Sequence, residues 1–419
     1  MANDTVRLQR RPTLRNEPGI FHYAIGDATS TLGDAAWVVA ATWTAAGIDA
    51  KAAALVVGAV EAPQLILGMM GGAAVDRFGP WRAAITCDVL KLAIMAGTAI
   101  GVAVNLSVVP LLVGAGLLFG AVSAVHTPAI GAVLPTLVTS AALERANGLC
   151  QGLCRAATVL GAPLGGWIVG VSNLGVAALA NAMSFAVSGA LLLVALRQRR
   201  SSENVDGTSQ RDGGAFWHQV LAGISFLRRS PLVTTVLIVG AGVNFAASGP
   251  LSVGLPLLSH ARGWGSAALG LLVGGIGLGG ASSAFLTMML PHLQRPALLA
   301  FSVLGLQMAA IVGLSSVSEI AAAVLLATAV GVAGGAASVQ LLSVVQRETP
   351  ASYMGRVMSV ALLLNVGLAP AAYFAFAVLS DATSVPAAFF IAGTSGALLV
   401  AAGVGMPAVR RKCMETFDA

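Results

Sequence analysis

Long apolar runs alternate with short polar breaks along almost the whole chain. Each run is long enough to cross the ~30 Å hydrocarbon core of a bilayer as one α-helix. Twelve such runs predict an all-α membrane protein with twelve transmembrane helices. To within a few residues at each end, the predicted spans cover 20–44, 52–75, 83–104, 108–128, 149–171, 174–196, 231–258, 266–290, 296–316, 319–342, 357–380 and 386–407.

A polar break after the sixth predicted span divides the spans six and six. Its sequence, RQRRSSENVDGTSQRDGG, is charged and contains glycine, which is typical of a flexible linker. Trp217, Leu221, Ile224 and Leu227 then share one helical stripe, which indicates either an amphipathic helix at the membrane surface or an extension of span seven. The predicted parts are a cytoplasmic N-terminal segment, an N-terminal six-helix half, a linker with the amphipathic helix, a C-terminal six-helix half and a cytoplasmic tail, at 1–19, 20–197, 198–230, 231–407 and 408–419.

Composition supports a surface that faces lipid. Hydrophobic residues make up 57% of the 419 residues and charged residues make up 10%, against about 25% charged residues in soluble domains. A soluble protein with so few charges could not cover its surface, whereas a bilayer accepts an apolar one. The 50 glycines fit closely packed membrane helices, because small residues let helix backbones approach one another.

Most of the 23 lysine and arginine residues fall on one side of the predicted spans. Lys51 and Arg262 lie on the other side, and Lys91 and Arg155 lie within spans. The positive-inside rule then places both termini in the cytoplasm and predicts a multi-pass protein of a bacterial inner membrane. The net charge of +6 is spread between apolar runs and forms no basic patch interleaved with aromatic residues, so we expect no nucleic-acid partner.

Motifs for enzymatic chemistry are missing from the sequence. A P-loop requires GxxxxGK followed by Ser or Thr, but Lys51, Lys91 and Lys412 are followed by Ala, Leu and Cys. The four cysteines form no CxxC pair and the histidines are scattered, so we expect neither a metal site nor a cofactor. The chain is therefore predicted not to be an enzyme.

Carboxyl groups inside predicted spans are the first candidates for function, because charge within a bilayer is costly and marks transport pathways. Asp34 lies ~21 Å along span one from its cytoplasmic start, and Glu61 lies ~10 Å into span two from the outer side. The two carboxyls are therefore expected at similar depth, where one of them would hold a proton. Both are candidate proton-coupling residues. The alternatives are that Asp34 caps a broken helix and that Glu61 faces an outer aqueous funnel.

Four further charges within spans lie nearer the cytoplasmic side. Asp27, Asp88, Lys91 and Arg155 fall ~7–12 Å into their spans. Asp88 and Lys91 are three residues apart and share a helix face. Two acids and two bases balance, so we expect an ion-pair cluster that holds the first half rigid.

The loop after span two carries a recognisable pattern. Residues 71–82 read GGAAVDRFGPWR, with glycines for close packing and a tight turn. This pattern resembles the GxxxDRxGxRR-like loop between spans two and three of the major facilitator superfamily, with Trp81 where the family has a base. The resemblance implies a role in conformational change for the matching residues, which are Gly72, Asp76, Arg77, Gly79 and Arg82.

The resemblance extends over nearly the whole chain. GDATSTLGD in span one, LERANGL before span five, ISFLRRSP before span seven and QRETPASYMGRVMSV before span eleven are similar to the enterobactin-exporter and macrolide-efflux branch of the family. Span five is similar to the glycine-rich antiporter signature of drug–proton exchangers at Gly148, Gly161, Gly165 and Gly166.

The resemblance implies two six-helix halves, each with inverted three-helix repeats, that rock about a central cavity. It implies proton-coupled export of a small, mostly hydrophobic organic compound, such as an antibiotic, another natural product or a siderophore, by a monomer in lipid. Trp37, Asn244 and Gln340 would line the cavity, although interhelical hydrogen bonds also explain the two amides. The sequence leaves open an importer or lysophospholipid mover of the same fold, and a non-transporting membrane sensor or assembly subunit.

Overall fold

The computed structural model describes residues 14, 17, 19–198, 225–289, 296–407 and 409, which are almost entirely α-helical and contain no strand. The N-terminal half consists of six helices, one for each predicted span. They are α1 (Ile20–Ala46), α2 (Ala50–Phe78), α3 (Pro80–Ala103), α4 (Val108–Val133), α5 (Leu143–Val171) and α6 (Leu174–Gln198).

Within the described residues, the C-terminal half has eight helices that form six spans. They are α7 (Pro231–Gly249), α8 (Leu255–Ala261), α9 (Ser266–Met289), α10 (Pro296–Ser316), α11 (Ile320–Glu348), α12 (Ala351–Gly367), α13 (Ala369–Ala382) and α14 (Val385–Gly405). A π-helical turn (Pro250–Gly254) joins α7 and α8 into one span. A second span consists of α12 and α13, which are interrupted at Leu368.

The predicted twelve-helix fold with two six-helix halves is confirmed. Eleven spans in the described part of the chain are long and apolar enough to cross a membrane, judged by length and composition. The remaining span is α1, which is 27 residues long but carries polar residues from Asp27 to Asp34 that lower its hydropathy. Several helices extend beyond the predicted ends, such as α2 to Phe78 and α11 to Glu348, because a helix can continue past the hydrocarbon with polar residues.

The helix ends define two faces of the molecule. The basic face holds the loops after α2 and α4 and the segment before α7, and the opposite face holds the loops that contain Ile48 and Gly263. The described arginines of the basic face are Arg77, Arg82, Arg145, Arg197, Arg228, Arg229, Arg347 and Arg356. The predicted amphipathic helix before α7 lies mostly outside the described residues, although Phe226 at its end stacks on Tyr353 with 5.0 Å between ring centroids.

The two halves meet where α5 packs on α9 and where α2 packs on α13. Two polar contacts join the halves at the opposite face. The ammonium of Lys51 lies 3.5 Å from a carboxylate oxygen of Asp381. The ring of His260 stacks on Trp43 with 3.6 Å between centroids, and its Nε2 lies 3.0 Å from the Trp43 carbonyl oxygen. These contacts hold the halves together on the side of Lys51.

Candidate functional site

Asp34 and Lys91 form an ion pair inside the N-terminal half. The Lys91 Nζ lies 3.8 Å from Asp34 Oδ2, and the side chain of Lys91 is 4% exposed. The amide of Asn181 on α6 donates to Asp34 Oδ1 at 3.3 Å. A buried lysine and a partly buried carboxylate thus satisfy each other where water is scarce.

Tight helix packing brings these groups together. A Cβ at Gly33, the residue before Asp34, would clash with the side chains of Ser184 and Asn181, so only glycine lets α1 lie this close to α6. The rings of Phe119 and Phe185 both lie near the Lys91 ammonium, with their centroids 4.5 and 5.1 Å from it. Aromatic faces attract a cation, and the attraction strengthens when the cation is removed from water.

His126 extends the ion pair into a chain of polar groups. Its Nδ1 lies 3.4 Å from Lys91 Nζ, and its Nε2 lies 3.0 Å from Asp88 Oδ1. A charged lysine can only donate, so His126 Nδ1 accepts and Nε2 carries the ring hydrogen. The approach of Nε2 to Asp88 Oδ1 is a close charge contact, because the two atoms are not aligned for a hydrogen bond. The other Asp88 oxygen accepts from the Ser188 hydroxyl at 2.8 Å. We call Asp34, Lys91, His126 and Asp88 the buried polar chain.

The formal charge of the buried polar chain suits it to carry one proton. With both aspartates ionised, Lys91 charged and His126 neutral, the chain has one net negative charge. One added proton on Asp34 makes the formal charge of the chain zero. Asp88, Lys91 and His126 are each less than a tenth exposed, and an unbalanced buried charge is costly.

Asp34 and Glu61 line one cavity of about 110 Å³. The remaining lining is mostly apolar and includes Trp37 and Phe119. Each carboxyl has a partner of its own, however. The hydroxyl of Tyr373 on α13 donates to Glu61 Oε2 at 2.7 Å, so Glu61 links the two halves while Asp34 faces Lys91.

Two of the four residues of the predicted charge cluster, Asp27 and Arg155, do not join the others. Asp88 and Lys91 lie together in the buried polar chain, but the side chain of Arg155 is exposed. It forms no ion pair with Asp27 or Asp88, the acids expected to face it. Asp27 instead accepts from the thiol of Cys154 at 3.3 Å. Consecutive residues of a helix point about 100° apart, so Cys154 faces α1 and Arg155 does not.

The loop after α2 is a single residue, Gly79. Its φ of 81° is a conformation that other L-residues rarely adopt, and α3 begins at Pro80 immediately after it. Trp81, which departs from the family pattern, is buried, and its indole N–H donates to the Thr136 hydroxyl at 2.9 Å. Asp76 and the two arginines of the pattern are exposed. The role of Gly72, Asp76, Arg77 and Arg82 in conformational change stays a prediction.

Three of the four signature glycines in α5 lie at helix contacts. A Cβ at Gly161 or Gly165 would clash with backbone carbonyls of α1, and one at Gly166 would clash with the carbonyl of Ser266 on α9. The Ser266 hydroxyl donates to the Gly166 carbonyl at 2.7 Å, which joins the halves. Gly148 has open space around it.

A second cavity, of about 250 Å³, lies within the C-terminal half between α7, α11 and α12. At the end of α12 the side-chain amide of Asn244 donates to the backbone carbonyl of Asn365 at 2.9 Å, and Asn365 is one of the lining residues. Asn244 thus makes the interhelical hydrogen bond that was the alternative to a cavity role. Gln340 is partly buried on α11 beside the lining residue Leu341.

Residues 24–372 match the family profile described as Major Facilitator Superfamily. The uncharacterized MFS-type transporter y4rN of Sinorhizobium fredii (strain NBRC 101917 / NGR234) is 26% identical over 361 residues, which cover 82% of this chain and 84% of that protein. A mutant of the nucleoside transporter NupG has a similar structure, with a TM-score of 0.72, 11% identity, and coverage of 93% of this chain and 100% of that chain. A bacterial homologue of the iron transporter ferroportin in an inward-facing state gives a TM-score of 0.69 at 16% identity, with coverage of 94% and 100%.

Two six-helix halves that enclose polar groups at membrane depth define a multi-pass membrane transporter. The family match covers most of the chain. The chain therefore belongs to the Major Facilitator Superfamily. The similarity to solved structures supports the fold. Because those structures belong to transporters of different compounds, they do not identify the compound that this chain transports.

Proposed function

We propose that this protein exports a small, mostly hydrophobic organic compound in exchange for protons, and that Asp34 carries the proton. The observation that supports this is the buried polar chain, whose formal charge changes from −1 to zero with one proton. A proton-driven transporter needs a titratable group inside the membrane that takes up a proton on one side and releases it on the other.

Three further features support the proposal. Asp34 lines a cavity while Lys91, His126 and Asp88 are buried and do not line it, so Asp34 is the member of the buried polar chain that is most accessible from that cavity. The lining around Asp34 is mostly apolar, which suits a hydrophobic compound. The arginines of the basic face support a cytoplasmic position for that face under the positive-inside rule.

The uptake and release of a proton follow from competition between that proton and Lys91 for the carboxylate of Asp34. While Asp34 is paired with Lys91, its carboxyl group is ionised and the buried polar chain carries no extra proton. Protonation of Asp34 weakens that pair, because a neutral carboxyl attracts the ammonium less strongly.

Glu61 is the second proton candidate. Its hydrogen bond from Tyr373 joins the two halves, so a change at Glu61 would alter the contact between halves as well as the charge.

The test is uphill efflux of chloramphenicol from proteoliposomes with an imposed pH gradient, with counterflow as the control. Asp34→Asn keeps the shape of the side chain and removes its titration. We expect this variant to retain counterflow and to lose concentrative transport, and we expect a milder loss for Glu61→Gln. Uphill transport by Asp34→Asn at the unaltered rate contradicts the proposal. Uptake against the gradient in the same vesicles would favour an importer of this fold.

A further inference from the structure

A histidine joins the two halves at the opposite face. His260, on α8 of the C-terminal half, lies flat on Trp43, near the end of α1, with 3.6 Å between ring centroids and 15° between the ring planes. Its Nε2 lies 3.0 Å from the Trp43 backbone carbonyl oxygen. That oxygen can only accept, so Nε2 carries the ring hydrogen, and Nδ1 is the nitrogen that can take up a further proton.

The contact depends on close packing between α1 and α8. A Cβ at Gly47, directly after α1, would lie 3.2 Å from Cε1 and 3.4 Å from Nε2 of His260, so glycine leaves room for the imidazole. The side chains of His260 and Trp43 are both partly buried. Because they belong to different halves, their stacked rings must separate when the halves open at the opposite face.

The helices around His260 bring no charge close to it. Those that pack on α8 are α1, α9 and α14. The sequences of α9 and α14 contain no ionisable residue. In α1 the last ionisable residue is Asp34, more than two turns before Trp43.

The charged groups of the adjoining loops have partners of their own. The guanidinium of Arg262 donates to a backbone carbonyl at the end of α10 at 3.0 Å. The carboxylate of Asp49 accepts from a backbone N–H in the first turn of α2 at 2.6 Å, and Lys51 is paired with Asp381. Two of these four residues are basic and two are acidic. A change of charge on His260 therefore acts mainly on the indole beneath it.

We propose that His260 and Trp43 form a pH-sensitive latch, in which a proton taken up by His260 at the opposite face favours the state that is closed on that side. An imidazolium ion is attracted to the face of an indole by a cation–π interaction that a neutral imidazole lacks. Its charge also strengthens the hydrogen bond from Nε2 to the Trp43 carbonyl. The inference goes beyond the proposed export function, because such a latch would serve transport in either direction.

The direction of the pH effect follows from linkage. A proton that is bound more tightly in the closed state shifts the equilibrium toward that state. Histidine changes its charge between pH 5 and 8. Acid at the opposite face should therefore hold the halves together there, and a neutral or alkaline medium should release them.

Distances between spin labels at the opposite face test the inference. In a variant with all native cysteines replaced, Leu106→Cys between α3 and α4 and Ser318→Cys between α10 and α11 carry the labels, since both side chains are exposed. The background also carries Asp34→Asn, so that titration of this carboxyl does not contribute. Double electron–electron resonance measures the closed and open populations at about pH 5 and about pH 8.

With His260 intact, the ratio of closed to open protein should be about three- to tenfold higher at the acidic pH. His260→Phe keeps a flat ring that can stack but cannot titrate, and it should abolish this response. Trp43→Leu keeps the histidine without its aromatic partner and should reduce the response. The matched control is His22→Phe, a partly buried histidine at the other end of α1, which should leave the response unchanged.

Four outcomes overturn the latch. They are a pH response that survives in His260→Phe, an equal loss in His22→Phe, no response with His260 intact, and greater opening at the acidic pH. The closed-state distance should be present in every variant, which shows that each one folds. Because the background lacks the carboxyl of Asp34, failure of the proposed proton coupling would leave these results unchanged.

Discussion

Lys91, on α3, contacts side chains of three other helices in the N-terminal half. Its ammonium lies between Asp34 on α1, His126 on α4 and the rings of Phe119 and Phe185. A charge in this position is tolerated because an acid, a ring nitrogen and two aromatic faces replace its water. Removal of Lys91 would leave the acids without their cation, which is more costly than replacing the whole group.

Lys91→Met should lower the amount of folded protein, because breaking a buried ion pair costs about 3–5 kcal/mol. A second change, Asp34→Asn, removes the unpaired acid and should recover part of the loss. The measurement is the monodisperse fraction that survives heating, read by size-exclusion chromatography in detergent.

Arg155→Ala is the control for Lys91→Met. Its exposed side chain should contribute less than about 0.5 kcal/mol, so the variant should resemble the unaltered protein. Equal stability of the Lys91 single variant and the double variant would contradict the pairing of Lys91 with Asp34.

Part of the buried polar chain is readable from the sequence. Asp34, Asp88 and Lys91 interrupt apolar runs, and charge in such a run is conspicuous. His126 was missed, because a single histidine hardly alters the hydropathy of α4 and the sequence does not show what it faces. Arg155 was misassigned for a related reason, since depth in the membrane can be counted from a helix end but the helix rotation depends on packing.

At the scale of the helices, glycine contacts fix how closely the spans approach. Gly165 lies on the line of contact between α5 and α1, where an added Cβ would meet the backbone of Ala36. Backbone cannot move aside as a side-chain end can. The same contact keeps α1 in place beside α6, and so it supports the position of Asp34.

Gly165→Ala should destabilise the protein by about 1–3 kcal/mol, as overpacking of a close contact does. Gly148→Ala is its control on the same helix, because Gly148 has open space around it. This control should be neutral or slightly stabilising, since alanine favours a helix over glycine by about 1 kcal/mol. Thermal unfolding in detergent measures both, and equal losses for the two variants would exclude the proposed contact.

The number and order of spans could be predicted because apolar length alone determines them. The interruptions of spans seven and eleven could not. Pro250 and Pro370 lie within these spans, and proline in a span is compatible with a kink, but the π-helical turn and the interruption at Leu368 depend on neighbouring helices. Asn244 illustrates this, because its bond to the Asn365 carbonyl satisfies the end of α12 from a different helix.

At the scale of the whole molecule, polar contacts hold the halves together at the opposite face and at Glu61. Lys51 and Asp381 are both largely exposed there, with side-chain exposures of 63% and 42%. An exposed pair of this kind contributes about 0–1 kcal/mol, so it can open without a large barrier. We expect it to separate when the cavities open to the opposite face.

A covalent link between positions 51 and 381 should stop transport. In a variant with all native cysteines replaced, Lys51→Cys and Asp381→Cys are joined by a short bifunctional maleimide. Counterflow of chloramphenicol should cease on cross-linking, because the link holds the two halves together at the opposite face. Continued counterflow by the cross-linked protein would mean that these residues do not separate during transport.

The single variants serve as controls and report orientation. Neither Lys51→Cys nor Asp381→Cys alone should lose counterflow after treatment with the reagent. A membrane-impermeant maleimide should label Lys51→Cys in intact cells and label Arg82→Cys only after permeabilisation. The reverse pattern would place the basic face outside.

The separation of charged and uncharged cavities on different halves has an evolutionary consequence. Substitutions at Leu341 or Met358 would reshape the cavity of the C-terminal half and leave Asp34 and Lys91 of the N-terminal half untouched. Recombination that exchanges one half between related genes would likewise replace one cavity without altering the other. The two cavities can therefore change independently in evolution.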